Sequence, residues 1–169
     1  ALIADADAKT INQSADRQGQ IQVTSGSGEA KVANIRLLDK ALGDELKVVP
    51  VGTAVRLDID VAIYVSIPCL VLGFSIRNRL GQVIYGTNTF HTQQKLNDAK
   101  AGDMHRFDID FVMNLGPGNY TISTALVSTD THLESNYEWL DRAHSFEVVN
   151  TSFPYFEGQS YLAPMIEIK

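Results

Sequence analysis

Two pairs of carboxylates stand out in the 169-residue chain, Asp58 with Asp60 and Asp108 with Asp110. Each pair is spaced i, i+2 within alternating apolar and polar residues. Both members therefore project from one side of a strand, roughly 7 Å apart. The carboxyls of a glycoside hydrolase stand roughly 5 to 9.5 Å apart, so the spacing permits that chemistry. The plainer reading is a solvated strand face, and nothing nearby in sequence forces an unusual pKa on either pair. The four histidines, His91, His105, His132 and His144, lack the short spacings of metal ligands. The chain has no nucleophile elbow, phosphate-binding loop or dinucleotide fingerprint. Cys69 is the only cysteine. It rules out an internal disulfide and, within an apolar run, reads as a buried structural thiol. These residue types call for no cofactor and no metal.

What remains is a vocabulary of binding. Tyr64, Ser75, Arg77, Tyr85, Asn88 and Trp139 are the candidate site residues. Aromatic faces stack on the C–H surfaces of sugars, while Arg, Asn and Ser satisfy hydroxyls. His91, Asn136 and Tyr137 belong to the same vocabulary. Trp139 suits a core or interface anchor equally well, and Tyr85 suits inward packing beside Val83. A net charge of −6 and a pI of about 5.1 work against binding nucleic acid or an anionic membrane surface. The longest apolar run, residues 62–74, is interrupted by Ser66 and Pro68 and falls short of the roughly 20 residues a membrane helix needs.

Strands must position these groups. Residues 55–65 alternate cleanly, Val55, Leu57, Ile59, Val61, Ile63 and Val65 against Arg56, Asp58, Asp60, Ala62, Tyr64 and Ser66. Residues 70–76 and 83–85 form a hairpin around Gly81, with Leu72, Phe74 and Ile76 on the core side and Gly73, Ser75 and Arg77 opposite. Residues 105–113 and 120–128 are further strands, the second preceded by a strong turn at Gly116-Pro117-Gly118-Asn119. Tyr120 follows that turn in the pattern of a tyrosine corner. Within residues 29–38 the apolar side switches midway, which predicts a bulge or an edge position. Residues 95–103 read as a loop, and the tail, 159–169, as a strand. Eight to nine short strands without an amphipathic helix predict an all-β, antiparallel β-sandwich over residues 21–169. Residues 1–20 form a linker or lead-in.

From Gly73 to Thr89 the chain reads GFSIRNRLGQVIYGTNT. This resembles the signature of the C-terminal carbohydrate-binding domain of Wzt, the ATP-binding subunit of O-antigen polysaccharide ABC exporters. Matching positions include Gly73, the pair Arg77-Asn78, Gly81, the run Ile84-Tyr85-Gly86, and Asn88-Thr89. Residues 116–120 and 137–148 extend the likeness, which covers about 28–149. The resemblance implies an immunoglobulin-like sandwich that binds finished O-antigen polysaccharide without catalysis, through its modified non-reducing end. It implies a cytoplasmic homodimer peripheral to the inner membrane, with an ATPase domain upstream and the membrane subunit Wzm as partner. It also implies exchange of a C-terminal strand between protomers, for which the tail has the pattern. No Walker motif occurs here, so the chain reads as an excised domain or a stand-alone relative. The alternative function is a structural sandwich whose exposed edge recruits a protein.

Overall fold

The structure is a computed structural model and describes residues 10–15, 21–129 and 135–169. Among these are eleven strands: β1 Thr10–Ala15, β2 Ile21–Gly26, β3 Ala30–Asp39, β4 Val48–Pro50, β5 Ala54–Ile63, β6 Ile67–Asn78, β7 Val83–Asn88, β8 Leu96–Ala99, β9 Met104–Val112, β10 Gly118–Val127 and β11 Asn136–Val149. The larger sheet runs β1-β2-β11-β10-β6-β7, with β4 added on β11 and β8 on β6. The smaller is β3-β5-β9. All pairings are antiparallel except that of β4 with β11, which is parallel.

Each sheet buries the apolar half of its alternation. Val55, Leu57, Ile59 and Val61 of β5 are fully buried, and they share one core with Leu72, Phe74 and Ile76 of β6, Ile122 and Leu126 of β10, and Phe146 of β11. Burying a side chain of this kind stabilises the fold by about 1.5–3 kcal/mol before chain entropy is counted. Because the pleat has a period of two, the register that buries these residues turns Ser75, Arg77 and Ser123 outward.

Three local devices hold the frame. Tyr120 donates its hydroxyl to Gly116 O at 2.7 Å, and its ring stacks on Phe146 at 5.6 Å; this is the tyrosine corner that the turn predicts. In the β6–β7 hairpin, Gly81 has φ 78, and Asn78 Oδ1 accepts from the amides of Leu80 and Gln82. In β3 the register shifts between Val32 and Asn34, and β3 edges the small sheet, so both the bulge and the edge position are realised. Glu138 Oε1 accepts the Val32 amide at 2.8 Å, linking the large sheet to this edge.

Several expectations change. Thr10–Ala15, within the lead-in, pairs with β2 along its length, whereas residues 1–9 and 16–20 of that stretch lie outside the described residues. The polar segment 95–103 contains β8: Leu96 and Ala99 pack on the core and Ile67, Cys69 and Leu70 supply its ladder, while Asn97 and Asp98 mask the pattern. Cys69 is half-buried rather than buried, because it alternates with Leu70. The tail forms no strand. Its last backbone pairings are the Leu115–Ser160 bridge and Tyr161 N to Asn114 O at 2.8 Å. No strand among the described residues accompanies it further, and Leu162, Met165, Ile166 and Ile168 are 83–98% exposed.

Candidate binding groove

On the outer face of the large sheet, small residues stand where the alternation points away from the core. Gly73 and Ser75 of β6 lie between Asn88 and Gly86 of β7 on one side and Ala125 and Ser123 of β10 on the other, in direct cross-strand register. Side chains this short leave a trough over three strands. A Cβ on Gly73 would sit 3.5 Å from the Asn88 Cβ and 3.8 Å from that of Ala125, so even one methyl would start to fill the floor. The groove measures about 290 Å³ and is also lined by Trp139 of β11, Val127 of β10, Arg77 of β6, Asn88 of β7 and His91.

The lining residues are positioned by their own hydrogen bonds. Asn88 Oδ1 accepts the His91 amide at 2.8 Å, which folds the turn after β7 and sets His91 on the rim. Thr89 N donates to Leu72 O at 2.9 Å and Thr89 Oγ1 accepts the Leu72 amide at 3.0 Å, clamping that turn to β6. Arg77 donates through Nη1 to Gly81 O at 3.0 Å, which ties its guanidinium to the hairpin turn. Trp139 stands on β11 opposite Ala125 and Ser25. Just beyond it, β11 shifts register against β10. Arg142 has φ 53 there, and Ser123 closes the irregularity by donating to Asp141 Oδ1 at 2.7 Å and accepting from Arg142 N at 3.3 Å.

Four of the six candidate residues, Ser75, Arg77, Asn88 and Trp139, therefore meet in one groove. The other two lie elsewhere. Tyr85 pairs with Ile76, so it points to the core side of the sheet; its ring is 6.0 Å from that of Phe74, at the open edge. Tyr64 follows β5 in the small sheet, exposed, with the Lys31 ammonium 5.7 Å above its ring. Strand order separates it from the groove. Of the floor residues, Ser123 and Ala125 escaped the sequence reading and Gly73 and Gly86 entered it only as strand and motif positions, because small side chains advertise no chemistry. Their signal was the pairing of two small residues at i, i+2 on adjacent strands.

The carboxylate pairs occupy the outer face of the small sheet and form a ladder with cations. Arg106 Nε reaches Asp60 at 2.7 Å, Arg56 Nε reaches Asp110 at 2.7 Å, and Arg36 reaches Asp58 at 3.0 Å. Hydrogen bonds from Arg56 and Lys40 hold Asp110 far below the usual carboxylate range, and one from Arg106 lowers Asp60. Asp58 is not the solvated group expected from its alternation: it is 5% exposed. Burial, then the neighbouring carboxylate of Asp108 across the strands, push its pKa up. These are cross-strand pairs rather than an acid and a base facing an open site.

The family model described as the Wzt C-terminal domain matches residues 22–162. The crystal structure of the C-terminal domain of Wzt superposes with a TM-score of 0.75 at 19% identity, covering 88% of this chain and 89% of that one. Likeness at this identity shows the fold. Two crystal structures of a beta-glucosidase from Listeria innocua, complexed with gluconolactone and with glucose, match at 10% and 9% identity with TM-scores of 0.40 and 0.38. They cover 73% and 77% of this chain and 16% of theirs, a likeness too weak to argue from. A comparison with curated protein sequences gave no match.

Proposed function

The chain belongs to the family of Wzt C-terminal domains, the carbohydrate-binding part of O-antigen ABC exporters, and we propose that it binds O-antigen polysaccharide in the groove between Trp139 and Asn88. The observation that carries this reading is the floor of the groove. Small residues across three strands let a bulky hydroxylated ring approach the sheet, with the Trp139 indole and the amide, guanidinium and imidazole groups of Asn88, Arg77 and His91 lining the groove. Each hydrogen bond exchanged with water gains only about 0.5–1.5 kcal/mol, so a single groove binds weakly and selects by leaving mismatched hydroxyls unpaired. Recognition of the modified non-reducing end, as a non-catalytic step that licenses export, follows from that selectivity.

In this reading the domain acts in the cytoplasm beside an ATPase domain and the membrane subunit Wzm. No helix among the described residues is long and apolar enough to cross a membrane. The protein works as a homodimer, a reading supported by the apolar side chains Leu162, Met165, Ile166 and Ile168, which are exposed among the described residues. Two copies would raise avidity over a weak single site. Titrating the protein with O-polysaccharide purified from the same cells, with the Trp139 indole N–H followed by NMR, tests the reading. Saturable shifts of Trp139 and of the Ser75 and Asn88 amides are expected. If the polymer moves none of them, or only residues of the small sheet, the groove is not the site.

A further inference from the structure

The arginines of the two sheets differ in how they are neutralised. In the small sheet Arg36, Arg56 and Arg106 each face a carboxylate at 2.7–3.0 Å. Arg77, Arg79 and Arg142, which belong to the large sheet and its hairpin turn, make no ion pair among the described residues, and Lys47 makes none either. The Nε atoms of Arg77 and Arg142 are buried without a hydrogen-bond partner; that of Arg36 is too, but Arg36 has Asp58 at its Nη2, whereas Arg77 and Arg142 pair with no carboxylate among the described residues. A charged donor left buried and unpartnered is unfavourable unless something else supplies the acceptor.

Lys47, Arg79 and Arg142 line one cleft of about 580 Å³, together with Thr121, Ser145 and a single carboxylate, Glu147. Three cations against one anion is a local excess opposite in sign to the chain's net charge of −6. The cleft adjoins the groove. Thr121 pairs across the strands with Arg77, and Ser123, on the groove floor, bonds the Arg142 amide. Ser123 and Thr121 are two residues apart on β10 with side chains on the same face, roughly 7 Å from each other.

We infer that this cleft is a subsite for an anionic substituent, a carboxylate or a phosphate, carried by the polysaccharide next to the sugar held in the groove. The inference rests on the groove reading for its ligand. The guanidinium fork matches either oxyanion with paired hydrogen bonds, and the Thr121 and Ser145 hydroxyls add donors. A polymer carrying such a group is selected over its neutral counterpart, and salt weakens that preference.

The test follows the arginine Nε–Hε resonances of the labelled full chain during titration with methyl β-glucuronide, methyl β-glucoside and inorganic phosphate. Saturable shifts of Arg79 and Arg142 with the glucuronide, with phosphate or with both are expected, and which of them acts identifies the oxyanion. The glucoside should leave both resonances in place, and Arg142→Gln should weaken the anion at least ten-fold. Shifts that never saturate, or that are matched at Arg56, mean an adventitious ion only and overturn the proposal. So does silence of Arg79 and Arg142 to every anion while O-polysaccharide still moves the Trp139 indole. The converse result, with anions saturating the arginines and the polymer leaving Trp139 unmoved, supports the anion site and refutes the groove.

Discussion

Ser75→Ile tests the groove without touching the core. Ser75 projects from β6 between Gly86 and Ser123, on the face opposite Phe74 and Ile76, and its hydroxyl makes no side-chain hydrogen bond among the described residues. Isoleucine suits a strand, so stability should change by no more than about 0.5 kcal/mol. Binding should not survive. The groove of about 290 Å³ holds the equivalent of roughly ten waters. A branched side chain rising from the middle of the floor prevents a sugar ring from reaching the sheet. Losing two or three hydrogen bonds of about 1 kcal/mol each weakens affinity roughly 30- to 140-fold. Ala62→Ile, an equal enlargement on the outer face of the small sheet, is the control. Calorimetric titration with O-polysaccharide measures both variants, and urea unfolding checks that each is folded. Wild-type affinity in folded Ser75→Ile would refute the reasoning, and a loss confined to Ala62→Ile would move the site to the other sheet.

Other consequences are more structural. Tyr120→Phe keeps the stacked ring but leaves the Gly116 carbonyl without its buried donor, at a cost of about 1–3 kcal/mol. With a urea slope near 2 kcal/mol/M the unfolding midpoint should fall by roughly 0.5–1.5 M. Burial, with Lys47 adding to it and Glu45 opposing it, holds the His144 pKa below its ordinary 6.5. The folded state therefore binds fewer protons than the unfolded one below that value. His144's contribution is complete above pH 6.5 and is lost as the pH falls through the lowered value. Glu138, raised by burial, titrates with the opposite sign, its contribution being lost as the pH rises from about 4.5. The difference in melting temperature between wild type and His144→Gln from pH 8 to 5 isolates the histidine, and parallel curves would refute its burial. Removing residues 162–169, which are largely exposed, should leave the monomer fold intact and convert a dimer to a monomer by light scattering.

The β-sandwich was legible because its strands alternate. In residues 55–63 and 105–111 a period of two separates core from surface so cleanly that no other element fits, and the turn before Tyr120 announced the corner that its hydroxyl closes. The hairpin motif from Gly73 to Thr89 carried the family as well as the fold. Strand order could not be read in the same way. It depends on contacts between residues far apart in sequence, and those placed Ser75, Arg77, Asn88 and Trp139 in one groove while sending Tyr64 to the other sheet and Tyr85 to the core side. Register also gave Asp58, Asp60 and Asp110 their cations, turning an apparently solvated acidic face into a cross-strand ladder. Alternation is local, so it marked the core-facing side of β5, β6 and β9, while the burial of Asp58 and the core contacts of β8 departed from it. Which outward residues become neighbours is not local: it follows from strand order and the packing of both sheets as a whole.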